Sequence, residues 1–468
     1  MKRTFAVCLL AMLSIAVNAE PAMKWVTSWA ASVQGPYPVG NPSAQPDLKM
    51  VFPDAKVGAR DQSFRLIVRP DVWGPKMRVR FSNAFGTKPV TFDGVHVGLQ
   101  LSGSQIVAGT NRRATFGGAD NVTIAPGESA WSDAVPLSFR AAFTDVAMLE
   151  GRKLAISFHV VGDSGPITWH AKALQTSYAT FPGAGARGHR HSEDAFPSPM
   201  ASWLFVDALD MWMPASTRLI VAFGDSITDG TASTMNGDDR WPDVLSRRLH
   251  SRHGQQVAVV NAGIGGNQIL GPKEYGADKP FPGGPSALMR LDRDVLSLSG
   301  VSAVIWLEGT NDFSRNGNAT ASAAIAAMSD GVARIRARIP GVRVIGATAA
   351  TALGSSSAAH GFAEQDDKRR ALNEFIRTSG AFDAIAEFDQ ATLDVATGQL
   401  RPEFVPESTT GGPGDKLHPN RLGYQAMGMA IDIGKLFGAP IDAMASKSDR
   451  TKASNKPAKS AKPAKPDA

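Results

Sequence analysis

The chain contains a single cysteine, Cys8, and that residue lies in the first few turns of sequence. A body without cysteine has no disulfide framework, no thiol nucleophile and no zinc–thiolate centre. Long apolar runs are equally scarce. One opens the chain, MKRTFAVCLLAMLSIAVNA, where Lys2 and Arg3 precede an apolar stretch and Val17-Asn18-Ala19 ends on a small residue. This pattern predicts an export signal over 1–19, cleaved after Ala19, and hence a secreted or periplasmic bacterial protein. Cys8 lacks the small-residue run that precedes a lipid-modified cysteine, and no later stretch reaches membrane-spanning length. The body also lacks an excess of positive charge. The formal net charge of +6 sits at the ends: Lys2 and Arg3 at one, and seven Lys or Arg against two Asp within 446–468 at the other. The nearly neutral remainder does not carry the electrostatic footprint of a nucleic-acid-binding surface.

What the chain does have is length and apolar content, 468 residues of which 43% are hydrophobic, enough for two domains. Residues 24–212 read as β-rich. Met77, Val79 and Phe81 alternate with Lys76, Arg78 and Arg80; Leu154, Ile156, Phe158 and Val160 alternate with small or polar neighbours. Period-two runs separated by Gly, Pro, Asn and Asp predict half-buried antiparallel strands and an all-β, sandwich-like module. Over 216–440 the rhythm changes. Short apolar strands (RLIVAF, VAVVNA, AVIWLE, VRVIGAT) alternate with helical stretches, one of which places Ile325, Met328, Val332, Ile335 and Ile339 on a single face. Strand–helix repetition predicts an α/β domain with a parallel sheet covered on both faces. The tail 446–468 is Lys-Ala-Pro-Ser, a composition that predicts disorder.

In parallel sheets reactive groups collect at the carboxyl ends of strands. The stretch VAFGDSITDG ends an apolar strand at Ser226, flanked by Asp225 and followed by Asp229. It is neither a nucleophile elbow, which needs Gly where Thr228 stands, nor a phosphate loop, which needs a following Gly-Lys-Ser/Thr. A nucleophilic serine requires a base and a group to orient the base. GDKLHPN supplies Asp415 and His418, three apart, ahead of a helix that starts near Asn420. A developing oxyanion requires donors. VVNAGIGGN ends a strand in glycines where backbone N–H groups can approach a substrate, and WLEGTND ends another at Asn311, whose side chain offers an uncharged N–H. His189 and His191 in RGHRHSED read as a basic surface loop, because no further ligands follow at metal spacing. Trp241 and Trp306 read as core.

The four blocks in this order, Gly-Asp-Ser, glycine loop, Gly-x-Asn-Asp and Asp-x-x-His, resemble the SGNH hydrolases, also called GDSL esterases and lipases, over about Arg218 to Phe437. WVTSWAAS, VRFSNAFGTKPVTFDGVHVG and WHAKALQTSY are similar to the β-rich N-terminal region of a secreted bacterial subgroup of that family. The resemblance implies a flavodoxin-like three-layer α/β/α domain behind the all-β domain. It implies Ser226 as nucleophile, His418 as base and Asp415 as its orienter. The oxyanion donors would be the Ser226 N–H, the Gly266 N–H (with Gly265 as the alternative) and the Asn311 side chain. Asp225 and Asp229 would support the site, Asp229 by bracing the Ser226 loop. No metal or cofactor is expected. The expected reaction is carboxylic-ester hydrolysis through an acyl-enzyme. Short-chain or O-acetyl esters, on small molecules or polysaccharide, compete with lipid acyl chains as substrates. A non-catalytic carbohydrate-binding or adhesive protein retaining the fold is the remaining class. Nothing in the sequence fixes the oligomeric state.

Overall fold

Alternating apolar residues form the first half of the fold. The computed structural model describes residues 22–137 and 146–438; the expected signal 1–19 and tail 446–468 lie outside them. One antiparallel sheet runs Met23–Ala30, Val206–Pro214, Lys76–Ser82 and Ser129–Trp131, with Val135–Pro136 also pairing Lys76–Ser82. A second is built on Ser177–Ala179, Arg60–Val68, Leu154–Asp163 and Val90–Ser102. Phe81 of the first sheet meets Phe92 and Phe158 of the second at centroid distances of 5.0 and 5.2 Å. The aromatic core therefore lies between the two sheets, as in a sandwich.

The polar half of the alternation behaves differently from a solvent face. Arg80 is buried, and its guanidinium binds Asp207 at 2.6 Å and Ser297 Oγ at 3.0 Å. Arg78 binds Asp210 at 2.8 Å and Ser299 Oγ at 3.3 Å. Ser297 and Ser299 belong to the second half of the chain, so this charged face is an internal contact. The period-two pattern reports which residues leave the sandwich core, not what covers them.

After a three-residue link, 215–217, the chain enters a five-stranded parallel sheet. Its order is Val257–Gly263, Arg218–Gly224, Val301–Leu307, Arg343–Ala347 and Ala384–Ala386. This doubly wound order places the reversal of strand order beside Arg218–Gly224, where ligands bind in such sheets. Helices Trp241–His253 and Arg421–Ala430 cover one face through Trp241, Leu245, Leu249, Tyr424 and Met427. Helices Ala321–Arg338 and Ala363–Thr378 cover the other through Met328, Val332, Ile335, Leu372 and Ile376. The second core is continuous with that of the sandwich: Val26 and Trp29 share one apolar cluster with Ala258, Val260, Leu298 and Trp306.

Candidate active site

The three strands at the reversal point end in register. Gly224 pairs with Gly263 on one side and Leu307 on the other. The segments that follow, Asp225–Ser226, Ile264–Gly266 and Glu308–Asn311, thus leave the sheet at one level. The buried Arg290 ties these ends together. Its guanidinium donates to Gly224 O and Ala262 O, both at 2.8 Å, and to Asn267 Oδ1 at 2.7 Å. Its charge is balanced by Asp294 and Glu308, both at 3.1 Å.

Ser226 opens a single helical turn, Ser226–Asp229. Asp225 caps it, Oδ1 accepting from Ile227 N at 2.9 Å. Burial pushes the Asp225 carboxyl up to about 7, against that hydrogen bond. Gly263 has no side chain because a Cβ there would overlap the backbone of Asp229; this close approach holds the glycine loop against the Ser226 turn.

His418 and Asp415 reach the serine from the other side. His418 Nε2 lies 2.8 Å from Ser226 Oγ, and His418 Nδ1 lies 2.6 Å from Asp415 Oδ2. Asp415 Oδ1 accepts from the backbone N–H groups of Leu417 and His418 at 2.9 and 2.8 Å. Burial pushes this carboxyl up, but the hydrogen bond and charge of His418 and the two backbone donors outweigh it and hold it well below the usual range. An ionised Asp415 can only accept, so His418 Nδ1 carries the proton and Nε2 is left to accept from Ser226 Oγ–H. Helix Arg421–Ala430 begins directly after this loop, capped by Asn420 Oδ1.

The structure separates the two glycines of the loop. Gly265 N donates to Asp229 Oδ2 at 2.8 Å. Gly266, at a φ of 84° that favours glycine, and Ser226 present backbone N–H groups without an acceptor among the described residues. Asn311 Nδ2 donates one hydrogen to Asn267 O at 2.9 Å, which orients the amide. Asp312 pins the same loop, accepting from Ile269 N and Leu270 N at 2.9 and 3.0 Å; burial raises its carboxyl to about 6.

Asp229, the last residue of the Ser226 turn, ties that turn outward: its carboxylate binds Gly265 N and, at 3.1 Å, the ring of His170. His170 belongs to the β-rich half, and two further residues of that half reach the site. Asn41 Nδ2 donates to Gly265 O at 2.7 Å. The buried ammonium of Lys172 donates to Thr231 Oγ1 and sits where a Gly265 side chain would point. On the far side, His360 Nδ1 accepts from Gln365 Nε2 at 2.8 Å, and Gln365 also holds Thr310 O at 3.0 Å. Burial, then the neighbouring His418, lowers His360 to about 4, so its ring is neutral. Sequence reading missed all five, His170, Asn41, Lys172, His360 and Gln365. WHAKAL was the available signal, since His170 and Lys172 are polar residues in a largely apolar block. His189 and His191 are exposed, and Trp241 and Trp306 are fully buried.

Residues 222–426 match the GDSL-like lipase/acylhydrolase family. The second half of this chain is a GDSL-like lipase/acylhydrolase domain. Solved structures similar to this GDSL-like domain include a carbohydrate acetylesterase from Sinorhizobium meliloti (16% identity, 47% of this chain and 100% of that chain, TM-score 0.35). Others are a lipase/acylhydrolase from Enterococcus faecalis (22% identity, 46% and 93%, TM-score 0.35) and an aryl esterase from M. smegmatis (18% identity, 46% and 96%, TM-score 0.34). Comparison with curated proteins finds no match.

Proposed function

We propose that this GDSL-like acylhydrolase is a serine esterase, working through an acyl-enzyme on short-chain or O-acetyl esters of polar alcohols, carbohydrate among them. The observation that carries the reading is the unbroken chain from Ser226 Oγ through His418 to Asp415, at 2.8 and 2.6 Å, beside two unpaired backbone N–H groups. Ser226 Oγ attacks the ester carbonyl carbon as its proton moves to His418 Nε2. Asp415 stabilises the imidazolium. The negative oxygen receives the N–H groups of Ser226 and Gly266 and the free amide hydrogen of Asn311. The C–O bond to the alcohol then breaks, and the alkoxide takes the proton from His418. Water repeats the sequence on the acyl-enzyme and releases the acid.

The polar side chains packed around the loops of the site favour a polar leaving group. Asn41, Lys172 and Thr231 stand beside the glycine loop, and His360 stands beside His418. These groups suit an alcohol with further hydroxyls better than a hydrocarbon chain. Export through Met1–Ala19 would place the enzyme outside the cytoplasm, where acetylated polymers are accessible.

Purified protein should hydrolyse p-nitrophenyl acetate, and Ser226→Ala should lower kcat by roughly three or more powers of ten while leaving the melting temperature unchanged. Retained turnover in that variant would end the reading. A rate that climbs with acyl length towards laurate would shift the assignment to a lipase or lysophospholipase. Binding of acetylated xylan with no hydrolysis of any ester would make the protein a non-catalytic binder.

A further inference from the structure

His170 is buried, and every polar contact of its ring is to an oxygen. Nδ1 lies 2.8 Å from Ser32 O; Nε2 lies 3.0 Å from Lys172 O and 3.1 Å from Asp229 Oδ1. Carbonyls and carboxylates only accept, so both nitrogens must donate and the ring is an imidazolium. Its face stacks on Trp203, centroids 5.4 Å apart, an arrangement that favours a cation. Burial alone would strip the proton; the charge and hydrogen bond of Asp229 outweigh it and raise the pKa. Of the other oxygen of Asp229, the single recorded partner is Gly265 N, one residue before the Gly266 N–H.

We propose that His170, supplied by the β-rich half, is a positioning residue for ester hydrolysis: as an imidazolium it fixes Asp229, and through Asp229 the glycine loop that aims the Gly266 N–H at the oxyanion. This rests on the reading of Ser226 and Gly266 given above. Asp229 sits on the same helical turn as Ser226, so the relay sets the distance between nucleophile and oxyanion donor. Two cations also face the pair. Arg240 donates to Asp229 O at 3.2 Å, and the ammonium of Lys172 lies beyond Gly265. Across a small interdomain cavity stand Arg69, Asp71, Asp238 and Asp243. None of these has a recorded hydrogen bond to the Asp229 carboxylate. When His170 loses its proton, one ring nitrogen presents a lone pair to an oxygen, the Asp229 contact weakens, and the Gly265 N–H loses its fixed acceptor, leaving Gly265 held on its carbonyl side by Asn41.

The test uses the full-length protein, with kcat and KM for p-nitrophenyl acetate measured from about pH 5 to about 10 and a melting curve for each variant. In the wild type, kcat should fall on the alkaline side with KM unchanged. His170→Gln and Asp229→Asn should each lower kcat by roughly tenfold or more at constant KM and abolish the alkaline fall. The double variant should be no worse than the weaker single one, because both break one relay. Wild-type kcat in His170→Gln, multiplicative losses in the double variant, or a wild-type kcat that is flat to about pH 10 would each overturn the proposal. If His170→Gln gives no melting transition, the wild-type profile and Asp229→Asn decide it. Ser226→Ala measured in parallel separates the two readings: an inactive Ser226→Ala beside an unaffected His170→Gln removes the relay and leaves the hydrolase.

Discussion

Asn311 shows how one amide divides its work. One hydrogen of Nδ2 is tied to Asn267 O, and in the proposed mechanism the other serves the oxyanion. Asn311→Ala should therefore lower kcat by roughly a hundredfold with KM little changed, in steady-state assays with p-nitrophenyl acetate. Single carboxyls make a second prediction. Burial raises Asp225 to about 7 and Asp312 to about 6. Their folded values exceed the unfolded ones, so the folded state holds protons that the unfolded chain releases between about pH 4 and about pH 7. Stability from these groups is greatest on the acid side of that window, declines as pH rises through it, and is level above. Asp415 has the opposite sign: its carboxyl is depressed, and its contribution is lost only as pH falls below the usual carboxylate range. Urea midpoints should decline from about pH 5 to about 7.5, and the slope should flatten in Asp225→Asn, which keeps the cap oxygen without the charge. Ser226, Asn311, Asp415 and His418 were legible in the sequence because each sits in a short motif at the end of one strand or the start of one helix. The separation of Gly265 from Gly266 was not, because it depends on which N–H Asp229 captures.

At the scale of elements, the strand alternations and helix faces read correctly because side-chain period follows backbone geometry. Met77, Val79 and Phe81 are fully buried, as are Met328 and Ile335. What periodicity could not carry was the partner of each outer face. Arg80 looks like a solvent residue by pattern and is an interdomain contact by position. Asn41 and His170 escaped for the same reason: their contacts, Gly265 and Asp229, lie 224 and 59 residues away and depend on how two sheets are mounted. Arg290 fastens the ends of the Arg218–Gly224 and Val257–Gly263 strands while neutralising Asp294 and Glu308. Arg290→Met would leave Glu308 buried without its guanidinium partner, while Asp294 keeps Arg293 at 2.5 and 2.9 Å, at a cost of about 3–5 kcal/mol. Equilibrium urea unfolding would register the loss as a lower midpoint.

Across the whole molecule, the sandwich and the parallel sheet share one apolar cluster and are joined by three residues after Pro214. Such a core should come apart once. Calorimetry of the intact protein should show a single transition, and esterase activity should disappear within it. Two separated transitions would show the halves to be thermodynamically independent. A chain beginning at residue 216 would expose the face that Val26 and Trp29 cover and would lack Asn41, His170 and Lys172. It should be recovered aggregated or, if soluble, without p-nitrophenyl acetate turnover.

The helical turn Ser226–Asp229 carries the proposed nucleophile at one end and the anchor of the glycine loop at the other. For directed evolution this divides the site into a part to leave alone and a part to vary. The segment 354–361, which holds His360 and touches Asp415 O through Ser355, and the approach to Asp415 over 405–414 flank the His418–Asp415 loop without belonging to that turn. Libraries confined to these two stretches can retune which alcohol is accepted while the spacing between Ser226 and Gly266 stays fixed. Libraries that reach into 226–230 alter the attacking atom and its electrostatic counterpart together, and should return mostly inactive clones.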